Sequence, residues 1–153
     1  MNANPYWMAQ RFVGTKEVSG RAANPQIMSM LQLDSKWPED DEVPWCSGFA
    51  NYVCWLLRVV RSKSLRARSW LGVGAVIALA DAVVGWDIVI LNRTGGPDDP
   101  NIIDAPGHVG FFGGLEGDWV WALGGNQSDT VKLSRYPVKD VLGVRRVHPE
   151  VTE

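Results

Sequence analysis

Histidine and cysteine are both scarce in this sequence, with two of each in 153 residues. The usual zinc-binding spacings CxxC, HxxH and HExxH are lacking. We therefore expect neither a metal ion nor another cofactor. A site that needs both a thiol and an imidazole has to use Cys46 or Cys54 together with His108 or His148.

An excess of positive charge is also lacking, since 15 Lys and Arg residues face 17 Asp and Glu residues, for a formal net charge of -2. Proteins that hold a nucleic-acid backbone usually carry a basic patch that displaces its counterions. We expect no nucleic-acid partner.

The N-terminal residues 1–7 lack the basic start and apolar core of a secretory signal, so we expect synthesis and folding in a cytoplasm. The apolar stretch from Leu71 to Leu91 resembles a membrane span, but it contains Asp81 and Asp87. Each carboxylate would cost about 2.5 to 3.5 kcal/mol at a bilayer centre. Two buried strands with a break near Gly85 explain the stretch better, so we expect no membrane insertion.

The length and the apolar fraction of 46% fit one domain, which we place at residues 1–147, followed by a tail at 148–153. Apolar spacing predicts helices at Tyr6–Phe12, Pro25–Leu33 and Cys46–Arg61. Strands are predicted at Ala75–Ala80, Asp87–Leu91, Val109–Phe112, Trp119–Leu123, Val131–Ser134 and Leu142–Val147. This order predicts an α+β domain in which the third helix packs on one face of a mostly antiparallel sheet.

Both cysteines fall on the third predicted helix, where eight residues separate them by about 12 Å. Because a disulfide tolerates a Cα separation of only about 4.4 to 6.8 Å, we expect two free thiols.

Cys46 lies in the first turn of that helix, where unsatisfied N–H groups and the helix dipole favour a thiolate. A thiolate is the reactive form of cysteine, so Cys46 is the candidate nucleophile. The alternative is that Cys46 is one more small buried residue, and Cys54 keeps that interpretation.

His108 begins an apolar strand beside Gly107 and is the candidate general base. His148 lies in the tail, where exposure is the default. A third group usually fixes the tautomer of such an imidazole. Asn126 and its neighbour Gln127 both qualify, and we prefer Asn126 because its side chain is shorter, while strand alternation lets only one of them face the site.

Several phrases of the sequence resemble one known family. The phrases are Trp45-Cys46-Ser47-Gly48-Phe49, Gly107-His108-Val109-Gly110-Phe111, Ala67-Arg68-Ser69-Trp70-Leu71, Gly124-Gly125-Asn126-Gln127-Ser128 and Leu142-Gly143-Val144-Arg145-Arg146. In this order they resemble the NlpC-like and CHAP superfamily of cell-wall cysteine hydrolases, and more narrowly a subgroup common in phages and prophages.

The resemblance implies a papain-like fold and a monomeric peptidoglycan hydrolase in which Cys46, His108 and Asn126 are catalytic. Trp45, Ser47 and Gln127 would bind substrate. A phage endolysin, reaching the wall through a membrane lesion made by another protein, is the function it indicates. The alternatives are a secreted bacterial amidase effector and a non-catalytic peptidoglycan-binding module.

Overall fold

The computed structural model describes residues 3–18, 24–34, 44–93 and 95–151. Within them, three α-helices precede six strands, three short 3-10 helices lie in the connections, and every strand pairing is antiparallel. The helices are α1 (Pro5–Gln10), α2 (Pro25–Leu31) and α3 (Cys46–Leu56), and the strands are β1 (Ala75–Ile77), β2 (Asp87–Asn92), β3 (Gly107–Glu116), β4 (Trp119–Gln127), β5 (Thr130–Pro137) and β6 (Val141–Arg146). The predicted α+β class is confirmed.

Each of the first two helices begins at an Asn-Pro pair. The Asn4 side chain accepts a hydrogen bond from the Trp7 N–H at 2.8 Å, and the following proline occupies the first helical position, where no N–H is needed. Asn24 caps α2 in the same way. Helix α3 ends at Leu56, before the predicted Arg61, because Arg58 takes a left-handed conformation with φ of 54°.

The strand order across the sheet is β1-β6-β2-β3-β4-β5. Strand β2 is buried along almost its whole length, as predicted. Strand β1 is not, because it is a three-residue edge strand and Val76 is 76% exposed. The prediction of two buried strands is therefore wrong for β1.

Helix α3 packs on one face of the sheet, as predicted. Phe49 meets Phe111 of β3 edge to face, with ring centroids 6.2 Å apart, and Val53 lies in the same core. A second, smaller apolar cluster fills the opposite face and includes Phe112 and Val120. The sheet is thus a central layer, with the start of α3 close to the beginning of β3 and the end of β4.

The stretch from Leu71 to Leu91 contributes β1 and β2 rather than a long helix. In the described part of the chain, no helix is long and apolar enough to cross a membrane. The predicted tail is partly anchored, because Val60 N–H donates to His148 O at 3.0 Å and Glu150 N–H donates to Arg58 O at 2.8 Å. His148 itself is exposed, and residues 152–153 of the tail lie outside the described residues.

The close approach of α3 to β4 requires a glycine at position 125. A Cβ there would lie 2.6 Å from the Trp45 ring and 2.8 Å from the Phe49 Cβ. We expect Gly125→Ala to destabilise the fold by about 1 to 3 kcal/mol, because the buried Trp45 ring and the start of the Phe49 side chain would have to move. Urea unfolding should show a lower midpoint with an unchanged slope.

Gly72→Ala is the matched control, since a Cβ at Gly72 meets nothing within 4 Å and this variant should unfold close to the wild-type midpoint. Equal midpoints for the two variants would contradict this account of the packing.

Candidate active site

Cys46 is the first residue of α3, and the residue before it provides no side-chain cap for the helix. The free N–H groups of this turn favour a negative charge on the sulfur. Cys46 is only 3% exposed. Burial raises the pKa of its thiol, but attraction to His108, hydrogen bonds from His108 and the Val109 backbone, and the charge of Arg93 together lower it below its ordinary value.

His108 lies near the start of β3, opposite Leu91 of β2, and is 3% exposed. Its Nε2 atom lies 2.8 Å from Gln127 Oε1 and 3.2 Å from the Tyr136 hydroxyl oxygen. Because Nε2 contacts Gln127 and Tyr136, the nitrogen available to contact Cys46 is Nδ1. The structure therefore brings together the predicted nucleophile and the predicted base.

The Gln127 side chain fixes the tautomer of the imidazole. Its amide NH₂ donates to Lys132 O at 2.6 Å and to Ala122 O at 3.2 Å, and both carbonyls only accept. The amide oxygen must then face His108, where it also can only accept. Nε2 consequently carries a proton, and the Nδ1 lone pair is available to take the proton of the thiol.

The preference for Asn126 as the group that holds His108 is wrong in this geometry, because Gln127 occupies that place. The β4–β5 pairing shifts register between Gly124 and Gln127, and Asn126 has a positive φ of 58°. This irregularity breaks the simple alternation on which the preference depended. Gly124 also belongs to the arrangement, since a Cβ there would lie 2.8 Å from Gln127 Oε1.

Trp45 and Ser47, both predicted to bind substrate, are fully buried instead. The Trp45 indole N–H donates to Glu17 Oε1 at 2.5 Å. The Ser47 hydroxyl donates to Ser64 O at 2.5 Å and accepts from Trp70 Nε1 at 2.9 Å. Both side chains hold α3 in place, and neither offers a surface to a ligand. Gln127, predicted in the same group, holds His108.

Tyr136 is a site residue that the sequence pattern does not predict. Its ring lies over the His108 imidazole at a tilt of 34°, with centroids 5.2 Å apart. Burial raises the pKa of Tyr136, and the negative charge on Cys46 raises it further, so the hydroxyl keeps its proton. Tyr136 pairs with Val120 of β4, and this register cannot be predicted from the local sequence.

Cys54 lies at the far end of α3 and is fully buried. Burial raises the pKa of its thiol to about 12. Both cysteines are free, as predicted. Cys54 thus has the environment of a packing residue, and Cys46 has that of a reactive one.

No family model matches this chain, and a search of the curated proteins finds no match either.

The contrast between the thiols predicts selective alkylation. At neutral pH we expect iodoacetamide to modify Cys46 and to leave Cys54 intact, because the lowered pKa of Cys46 maintains a thiolate and the raised pKa of Cys54 prevents one. The Cys46 rate should rise with pH through a pKa below that of an ordinary thiol. Peptide mass spectrometry after timed quenching measures both rates.

Both side chains are buried, so burial alone would protect them equally. Equal rates for the two cysteines in the folded protein would contradict the assignment. In denaturant both should react alike.

Proposed function

We propose that this protein is a cysteine hydrolase that cleaves an amide bond in the peptide of bacterial peptidoglycan. The arrangement of Cys46, His108 and Gln127 carries the proposal. A papain-like enzyme needs a thiol at the start of a helix and an imidazole beside it. It also needs an amide oxygen that accepts a hydrogen bond from the second imidazole nitrogen. A cysteine-bearing helix packed on an antiparallel sheet is compatible with that fold.

In the first step, His108 Nδ1 takes the thiol proton, and the Cys46 thiolate attacks the carbonyl carbon of the substrate amide. The C–S bond forms while the carbonyl electron pair moves to oxygen. When the tetrahedral intermediate collapses, the C–N bond breaks and the nitrogen leaves with the proton from His108. A thioester on Cys46 and a free amine result.

In the second step, water attacks the thioester while His108 accepts a proton from it. The C–S bond breaks, the acid product leaves, and the proton returns to restore the starting pair. Throughout both steps, Gln127 keeps Nε2 protonated and turns Nδ1 toward the sulfur. A ring free to rotate would present the wrong nitrogen for part of the time.

The choice of peptidoglycan as substrate rests on the motif phrases around Cys46 and His108, which resemble those of the cell-wall hydrolases. The same resemblance extends the proposal to a phage endolysin that reaches the wall after another protein opens the membrane. The third residue of the proposed triad is Gln127 and not Asn126.

The proposal predicts that Cys46→Ala abolishes the release of soluble peptide from purified peptidoglycan, because the nucleophile is gone. Cys54→Ala, the control on the same helix, should keep nearly full turnover and lose about 1 kcal/mol or more of stability through a small cavity. Mass spectrometry of the released muropeptides provides the measurement and identifies the bond. Release that survives in Cys46→Ala would remove the basis of the proposal.

A further inference from the structure

An exposed arginine lies beside the proposed nucleophile. Arg93 follows directly after β2, two residues beyond Leu91, which is the cross-strand partner of His108. The last residue of β2, Asn92, pairs with Gly107, the residue before His108. Arg93 is thus placed at the end of the sheet where Gly107 and His108 begin β3, and its side chain is exposed.

The electrostatic influence of Arg93 agrees with this placement. Burial raises the pKa of Cys46 and of Tyr136, and in both cases the positive charge of Arg93 opposes that increase. The Arg93 guanidinium lowers the pKa of both Cys46 and Tyr136 and is exposed to solvent. It can therefore contact a ligand that binds at the thiolate.

Most other arginines in the described part of the chain have partners of their own. Arg61 pairs with Asp34, Arg66 with Asp104 and Arg146 with Asp87, while Arg68 donates to backbone carbonyls and Arg135 lies over Trp119. Among the described residues, the Arg93 guanidinium has no hydrogen bond or ion pair.

We propose that Arg93 binds a carboxylate of the substrate peptide next to the scissile amide. The inference rests on the proposed function and specifies its substrate. A guanidinium matches a carboxylate through two parallel hydrogen bonds. It also offsets the repulsion between that carboxylate and the Cys46 thiolate. One such carboxylate in a peptidoglycan stem peptide is the α-carboxylate of D-glutamate, which is linked onward through its γ-carboxyl group.

The test uses two synthetic muropeptides that differ only at this group, one with D-isoglutamate and one with the neutral D-isoglutamine. We expect the wild-type protein to prefer the acid by roughly ten- to a hundredfold in kcat/KM, the usual effect of a charge-assisted hydrogen bond. Arg93→Gln should bring the ratio close to one, and Arg93→Lys should give an intermediate ratio. The effect of Arg93 on the thiol itself changes both rates equally and cancels in the ratio.

Arg58→Gln is the matched control, because Arg58 is also exposed but lies past the opposite end of α3 from Cys46. It should keep the wild-type ratio. If the wild-type protein cleaves both peptides equally, or if Arg93→Gln keeps the preference, the inference is overturned and the hydrolase proposal stands. If the wild-type protein cleaves neither peptide and releases nothing from whole peptidoglycan, both are overturned.

Discussion

The hydrogen bond between His108 Nε2 and Gln127 Oε1 is the contact on which the rest of the site depends. Two backbone carbonyls fix the orientation of the Gln127 amide, so the protein leaves only one tautomer for the imidazole. That tautomer directs Nδ1 at Cys46. The interaction with His108, the Val109 backbone hydrogen bond and the charge of Arg93 together outweigh the burial that raises the pKa of the thiol. Each group is buried, and loss of the Gln127 oxygen would leave the Nε2–H group with only the longer contact to the Tyr136 hydroxyl at 3.2 Å.

A second buried polar side chain, Arg68, lies beside Gly107, the residue before His108. Arg68 is fully buried, and its guanidinium donates to the carbonyls of Pro97 and Pro106 and to the Asn92 side chain. Burying a cation is costly unless its donors are satisfied, so this arrangement constrains the β2–β3 loop strongly. The loop begins after Asn92 and leads into the strand that carries His108. Arg68 therefore holds both ends of the β2–β3 loop, at Asn92 and at Pro106.

The sequence predicts the features that depend on local pattern. Apolar spacing placed the three helices and the six strands, and Cys46 and His108 stood out because each begins an element. What it left open or did not predict depends on contacts between distant segments. Gln127 reaches the imidazole through an irregularity in the β4–β5 pairing, and Tyr136 reaches it through the register of those strands. The burial of Trp45 likewise depends on Gly125, a residue on another element.

The most direct test of the central claim is ¹⁵N NMR of the His108 side chain, which has to be distinguished only from His148. In Cys46→Ser, where no thiolate is present, we expect the neutral ring to carry its proton on Nε2. Adding Gln127→Ala should mix the two tautomers, and adding Asn126→Gly should leave the Nε2–H form unchanged. A ring that carries its proton on Nδ1, or a tautomer that responds to Asn126 and not to Gln127, would contradict the account.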